Sequence, residues 1–278
     1  MKSTELREST TVKALERGLT VLRLLSKSDS ASLSTLSLQL GLPASTVYRL
    51  LSTLQKLDFV SFDDVTQEWS IGLEAFTVGS SFLNRANLVE ASRRVMRNLM
   101  IETGETSNLA ILAENGYVTF LTQVETSHPI RAFHLPGTRS LAHASGIGKA
   151  LLAEFSRERA RHLLQQTGLP SFTPKTLTMP EKLFDDLDLA YRRGWSLDDE
   201  ECHVGMRCIA AAIHDSAGEA IAGVSISGPT ARLPDDALAQ LGQSVRLAAR
   251  EISGAIGGTR GGTRGGTRGG PATDRADR

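Results

Sequence analysis

The pattern of apolar and polar positions from Leu33 to Leu57 predicts two short helices joined by a turn at Gly41-Leu42-Pro43. The second helix carries apolar side chains at the i, i+3, i+4 and i+7 spacing that buries one helix face, namely Val47, Leu50, Leu51, Leu54 and Leu57. At about 100° per residue the opposite face is polar and comprises Ser45, Thr46, Tyr48, Arg49, Ser52, Thr53 and Lys56. All seven side chains can donate a hydrogen bond, as contacts to phosphates and base edges in the major groove require. They are therefore candidates for binding double-stranded DNA.

The segments on either side favour this interpretation over an ordinary helical hairpin, which also often contains a glycine turn. An amphipathic helix precedes the pair, behind the good capping residues Ser9 and Thr10. Two short β-rich runs, at residues 60–62 and 69–72, follow it and flank a polar stretch. Three helices and a two-stranded wing in this order predict a winged helix-turn-helix domain over residues 9–72.

Charge supports the DNA hypothesis only locally. Residues 1–72 contain eight Lys or Arg and eight Asp or Glu, and the whole chain has a formal net charge of zero. Phosphate neutralisation must then come from the placement of Arg49, Lys56 and the first helix. The acidic pair Asp63-Asp64 at the wing argues against phosphate contacts there.

After Gly72 the organisation changes. Residues 73–87 predict a linker helix with phenylalanines on one face, which a homodimer would bury. Two β-rich pairs, turning at Glu114-Asn115-Gly116 and Ser216-Ala217-Gly218, together with helices at 147–165, 180–193 and 234–256, predict an α/β sensor-like domain over residues 88–256. The chain as a whole falls in the α+β class.

The remaining sequence features exclude several classes of protein. Residues 257–278 contain three Gly-Gly-Thr-Arg repeats and are expected to be a disordered tail. No apolar run approaches about 18 residues and the N-terminus is polar, so we expect a cytoplasmic protein without a membrane segment. Cys202 and Cys208 match neither a disulfide framework nor a zinc ribbon, and no cofactor or metal is expected.

Two features suggest an anion pocket. Residues 142–155 run from small residues and glycines directly into a helix, whose first backbone N–H groups can hold an anion. A P-loop is excluded because His143 stands where its first glycine is required and Ala150 where Ser or Thr binds magnesium. Ser225 and Ser227 share one strand face, which fits either a polar pocket wall or a solvent-facing pair.

Functions of other classes have weaker support. An enzyme would use Cys208 or Ser225 as nucleophile and His143 or His214 as base, but neither a GxSxG nor a flanked cysteine motif is present. We therefore expect no catalytic residue. A metal sensor built on Cys202, His203 and Cys208 has no clear fourth ligand.

Six segments together resemble the IclR family of transcriptional regulators along about residues 10–256: LGLPASTVYRLLSTLQ, GLEAFTVGSSFL, LMIETGETSNLAIL, HASGIGKALLA, WSLDDEECHVGMRC and SISGP. The resemblance implies a winged helix-turn-helix, a dimerising linker helix and a GAF-like effector domain. It also implies homodimers that often pair into homotetramers. Some family members activate aromatic-acid catabolism, and that function is the nearest alternative.

The resemblance is greatest to the repressors of the glyoxylate bypass, which implies a small carboxylate effector such as glyoxylate or pyruvate. Carried onto this chain, it implies effector contacts from the backbone of Gly146 and Ile147, with further contacts from Asp198, Cys208, Ser225, Ser227, Phe133 and Met206. Ile147 replaces a smaller alanine of those repressors. The expected function is a ligand-responsive repressor of a carbon-metabolism operon.

Overall fold

The computed structural model of the chain describes residues 12–84, 88–132 and 134–260. They form two compact units that divide between residues 85 and 86, and each is described by itself. Among these residues no helix combines the length and the apolar character needed to cross a membrane.

The first unit is a three-helix domain with a small sheet and a further helix. Its helices are α1 (Lys13–Leu25), α2 (Leu33–Leu40), α3 (Ala44–Lys56) and α4 (Leu73–Asn84). Its strands β1 (Ala31–Ser32), β2 (Val60–Asp63) and β3 (Glu68–Ile71) form an antiparallel sheet in the order β1-β3-β2. The core contains Val21, Leu25, Leu36, Val47, Leu51 and Trp69.

Local sequence explains the helix-turn-helix. Ser32 caps α2 by accepting a hydrogen bond from the Thr35 N–H at 3.2 Å. Gly41 ends α2 in the left-handed conformation (φ 62°), which glycine adopts without steric cost. The predicted helix pair is confirmed, although Leu57 lies beyond the end of α3 and is 56% exposed rather than buried.

The second unit is built on six antiparallel strands: β4 (Thr106–Leu112), β5 (Tyr117–Val124), β6 (Arg139–Leu141), β7 (Ser196–Asp199), β8 (Met206–His214) and β9 (Ala220–Pro229). Their order in the sheet is β6-β5-β4-β9-β8-β7. Its helices are α5 (Leu88–Thr103), α6 (Gly146–Glu154), α7 (Arg157–Thr167), α8 (Pro180–Arg193) and α9 (Leu238–Ala255).

Strand alternation places one core on each face of this sheet. Ala210 of β8 belongs to a cluster with residues of α6, α7 and α8. Its neighbours Ile209 and Ala211 belong to a second cluster with residues of α5 and α9. Successive strand side chains point to opposite faces, so a strand covered on both sides is apolar at consecutive positions.

The two predicted hairpins, β4-β5 and β8-β9, are confirmed. The predicted helix at 147–165 is two helices, because Phe155 is extended and Ser156 caps α7 by accepting from the Arg159 N–H at 3.2 Å. The acidic stretch that begins at Ser196, which its charge alone would assign to a solvated loop, contains the edge strand β7.

The predicted tail boundary at residue 257 also differs from the structure. Gly258 is buried, and Arg260 contacts Glu154 and Tyr191. The packed chain therefore extends at least to Arg260, because Gly258, Thr259 and Arg260 contact the ends of other elements. The rest of the predicted tail, like Ser9 and Thr10, lies outside the described residues.

Candidate functional site

The polar face of α3 lies at the surface of the first unit. Ser45, Tyr48, Arg49, Thr53 and Lys56 are exposed. Thr46 and Ser52, also predicted, are half-buried. Arg49 and Lys56 form no ion pair with any described residue, which leaves their charges available to a phosphate. The Thr53 hydroxyl, in contrast, already donates to the Arg49 carbonyl at 2.8 Å.

The wing beside α3 is shaped by Asp63. Its carboxylate accepts hydrogen bonds from the N–H groups of Val65 (2.7 Å) and Thr66 (3.2 Å), which hold the pKa of Asp63 below its ordinary value. Tight turns commonly use aspartate in this way. The acidic residue therefore has a structural role, and Val65, 92% exposed, forms the tip of the wing.

A cavity of about 730 Å³ lies in the second unit, at the N-terminal end of α6. Its floor comes from a row of side chains across neighbouring strands. Cys208 of β8 lies opposite Ser227 of β9 and Asp198 of β7, so all three point to the same face of the sheet. The register thus places next to one another three residues that are distant in sequence.

Small residues let α6 approach this row closely. A Cβ atom on Gly146 would lie 2.6 Å from the Cys208 Sγ, and one on Gly148 would lie 2.3 Å from the Ala142 carbonyl oxygen. Ser145 caps the helix by accepting from the Gly148 N–H at 3.3 Å. The positive end of the α6 dipole is therefore directed at the cavity.

Beneath the floor is a cluster of buried polar groups. Asn108 donates through Nδ2 to the Ser225 Oγ (3.3 Å) and the Ser227 Oγ (3.2 Å). Ser227, Ser225 and the Gly146 N–H lie close enough to the Cys208 sulfur to lower the pKa of its thiol. Burial and then the nearby Asp198 nevertheless raise the pKa of the Cys208 thiol to about 11. This thiol stays protonated at neutral pH, so it is a poor nucleophile.

Asp198 lies at one end of the row. Its Oδ1 accepts from the N–H groups of Glu201 (2.7 Å) and Cys202 (3.4 Å). Burial outweighs these bonds and the nearby Lys149, and raises the pKa of Asp198 to about 6. A carboxylic acid with this pKa can change its charge near neutral pH.

Lys149, the lysine of the apparent P-loop, is fully buried. Its Nζ donates to the Asp186 Oδ2 at 2.8 Å and to the Glu201 Oε1. Although burial disfavours the charge, the two carboxylates outweigh it and raise the pKa of Lys149. The ammonium group thus forms an ion-pair network that connects α6, α8 and the segment after β7.

Six of the eight predicted effector residues line the cavity: Gly146, Ile147, Asp198, Met206, Cys208 and Ser227. Ser225 does not line the cavity. It lies two residues before Ser227 on β9 and is fully buried beside Asn108. Phe133 lies outside the described residues. The solvent-facing alternative for the two serines is wrong, since both are buried.

Sequence reasoning did not identify several other lining residues, among them Tyr117, Phe120, His134, Arg139, Phe172 and Cys202. His134 stacks on Phe120 with the rings 4.0 Å apart. Apart from Cys202, which lies in one of the family segments, these residues lie on other strands and loops, where no motif marks them. Asn108 lies in another family segment, but the local pattern does not distinguish it, because it follows the polar residues Thr106 and Ser107.

The residues of the alternative functions are not arranged for them. The His143 Nε2 is 3.0 Å from the Pro170 carbonyl oxygen, and His214 lies beside Glu154. The described residues contain no group of three or more His, Cys, Asp or Glu positioned to hold a metal ion.

Comparison with known proteins then decides the family. Residues 14–64 match the IclR helix-turn-helix domain, and residues 80–254 match the C-terminal domain of bacterial IclR transcriptional regulators. The chain belongs to the IclR family of bacterial transcriptional regulators. Family members are regulators rather than enzymes, which confirms the non-catalytic expectation.

Individual relatives agree over most of their length. The chain is 47% identical to the HTH-type transcriptional regulator BhcR of Paracoccus denitrificans over 242 residues, covering 87% of this chain and 86% of that one. It is 43% identical to the transcriptional repressor IclR of Escherichia coli over 244 residues, covering 87% and 89%. A crystal structure of an IclR homologue from Microbacterium hydrocarbonoxydans, complexed with 4-hydroxybenzoate, has the same fold, with a TM-score of 0.77, 24% identity and coverage of 87% and 98%.

The buried lysine network generates a stability prediction. We expect Lys149→Met to destabilise the second unit by about 3–5 kcal/mol, because it leaves the Glu201 and Asp186 carboxylates without their cation. Chemical denaturation measures the difference in the free energy of unfolding. The control is Lys182→Met, which removes an exposed lysine from α8. Equal stability of the two variants would contradict a structural role for the Lys149 charge.

Proposed function

We propose that this protein is a repressor that acts in the cytoplasm on a carbon-metabolism operon and binds a small carboxylate such as glyoxylate or pyruvate. The observation that carries the proposal is the cavity at the N-terminal end of α6, in a unit separate from the one that bears the polar face of α3. The repressor name of the E. coli relative supports the sign of regulation.

A carboxylate fits the chemistry of the cavity. Backbone N–H groups at a helix start favour an anion, and the Ser227 hydroxyl can donate to it. At about 730 Å³ the cavity has the size of a small-molecule site. Effector binding would shift the equilibrium between DNA-competent and DNA-incompetent arrangements of the oligomer.

The second candidate is an activator of an aromatic-acid catabolic operon. It is favoured by the volume of the cavity, which exceeds the needs of a two- or three-carbon acid, and by the aromatic wall of Tyr117, Phe120 and Phe172. The homologue complexed with 4-hydroxybenzoate shares this fold. Calorimetry with glyoxylate, pyruvate and 4-hydroxybenzoate discriminates between the two candidates.

The proposal includes a homodimer, which can pair into a homotetramer. Leu73 and Phe76 of α4 are 76% and 69% exposed, and Leu15 and Leu19 of α1 are 62% and 57% exposed. A second copy would remove these apolar side chains from water. Two linked helix-turn-helix units would also bind two operator half-sites.

The DNA surface is tested by Arg49→Ala. We expect weaker operator binding and a salt slope lower by about one ion, because one phosphate contact is lost. Arg97→Ala, which removes an exposed arginine from α5, is the control and should leave operator affinity unchanged. Gel-shift titrations at several salt concentrations measure both variants. If Arg49→Ala binds the operator with the affinity of the wild type, Arg49 does not contact the DNA.

The effector pocket is tested by comparing Ser227→Ala with Ser225→Ala. We expect Ser227→Ala to lower effector affinity at least tenfold, since a hydrogen bond to a charged group contributes about 1.5–3 kcal/mol. Ser225→Ala should reduce it less, because Ser225 does not line the cavity. DNA binding without effector should survive in both variants. If calorimetry gives equal affinities for wild type and Ser227→Ala, the pocket lies elsewhere.

Asp198 makes effector binding depend on pH. An anion beside Asp198 disfavours its ionised form, so binding should take up a proton whenever the pH exceeds the Asp198 pKa of about 6. Affinity should therefore fall as the pH rises from about 6 to about 8, by at most tenfold per unit. Calorimetry in two buffers of different ionisation enthalpy measures the protons taken up.

Asp198→Asn is the matched variant, because its side-chain oxygen can still accept from the Glu201 N–H. We expect it to take up fewer protons on binding an effector at neutral pH. The pKa of Glu201, raised by burial to about 7, accounts for the uptake that remains. Identical uptake in wild type and variant would assign the linked proton to another group.

A further inference from the structure

The first Gly-Gly-Thr-Arg repeat occupies a groove on the second unit. The groove lies between the end of α6, the end of α8 and the turn after β8. Residues 258–260 lie along it and contact Glu154, Tyr191, His214 and Asp215. The contacts come from both backbone and side chains, so the sequence of the segment matters as well as its presence.

Glycine is required at two positions of the segment, at Gly257 by its backbone conformation and at Gly258 by the groove. Gly257 follows α9 with a φ of 78°, a left-handed conformation that strains other residues. Gly258 is buried, and a Cβ atom there would lie 1.8 Å from the His214 carbonyl oxygen. Its N–H donates to the Ser253 carbonyl at 2.6 Å. No side chain fits at Gly258 unless the chain moves away from the end of β8.

Thr259 contributes through its backbone alone. Its N–H donates to the Asp215 carbonyl at 3.3 Å, which continues the segment alongside the end of β8. The residue is exposed, and its hydroxyl has no hydrogen-bond partner within residues 12–84, 88–132 and 134–260. The groove therefore does not select the side chain at this position.

Arg260 is bound by three groups at once. Its Nη2 lies 2.7 Å from the Glu154 Oε1 and donates to the Tyr191 carbonyl at 3.0 Å, and its guanidinium carbon lies 4.6 Å from the centre of the Tyr191 ring. Glu154 is only 14% exposed, so the pair is screened less than a surface salt bridge. A carboxylate, a carbonyl and an aromatic ring together suit a guanidinium group rather than an ammonium group.

We propose that this groove is a recognition site for a Gly-Gly-x-Arg peptide segment, which the first tail repeat fills. The site joins Glu154 at the C-terminal end of α6 to the end of α8, and α6 is the helix that opens onto the cavity at its other end. We expect one repeat to be sufficient to occupy the site.

The first test compares thermal unfolding of the full chain with chains ending at Arg260 and at Ile256. We expect the chain ending at Arg260 to keep the Tm of the full chain, and the chain ending at Ile256 to unfold at least about 2 °C lower. Equal Tm values for all three chains would overturn the proposal.

Selectivity is tested by single substitutions in the chain ending at Arg260, where no further repeat can replace the first. Gly258→Ala and Arg260→Ala should each lower Tm, and Glu154→Gln should lower it without adding to the effect of Arg260→Ala. Thr259→Ala is the matched control and should leave Tm unchanged. Equal effects of all three tail substitutions would show nonspecific packing of the segment.

The third test supplies the segment as a separate molecule. An acetylated Gly-Gly-Thr-Arg-Gly-Gly amide at millimolar concentration should raise the Tm of the chain ending at Ile256, but not that of the chain ending at Arg260, whose groove is filled. A peptide with glutamine in place of arginine should have no effect. If the two peptides have equal effects, the groove does not recognise the guanidinium group.

Discussion

The close approach of α6 to the sheet is the constraint on which the second unit depends. Gly146 lies against Cys208, and Gly223 of β9 lies against Ile147, where an added Cβ would be 2.7 Å from the Ile147 Cγ2. These glycines let the start of the helix reach the floor of the cavity. A helix held further away would leave its first N–H groups too distant to share a ligand with Ser227.

The same contact explains how this chain accommodates Ile147. Ile147 is 1% exposed and belongs to the core shared by α6, α7 and α8. Its bulk fills the space that Gly223 leaves on β9. The isoleucine therefore contributes mainly to packing, and the part of it that best suits an effector is its backbone N–H.

Burial also gives the charged residues around the cavity their properties. The Lys149 ammonium group is paired with the Glu201 and Asp186 carboxylates inside the unit, since an unpaired charge there would be costly. Asp198 forms no ion pair with a residue that the structure describes and is held by backbone N–H groups, so burial dominates its pKa. A carboxyl group that is easily protonated can remain in a cavity that suits an anion.

The sequence by itself determined the helix-turn-helix, its outward residues and the two hairpins. Those features depend on local periodicity, capping and turn residues such as Ser32, Gly41 and Gly116, whose effects act over a few positions. Family resemblance added Asp198 and Cys208, which lie in an acidic stretch that local pattern alone assigns to a loop.

Only the tertiary structure decided which side chains meet. Strand register placed Asn108 under Ser225 and Ser227, moved Ser225 away from the cavity and brought Asp198 opposite Cys208. The tertiary structure also shows that the tail begins with a packed segment, because Arg260 contacts Glu154 and Tyr191, which lie on elements distant in sequence. Contacts between residues far apart in the chain depend on how the elements pack, and a local sequence pattern does not predict them.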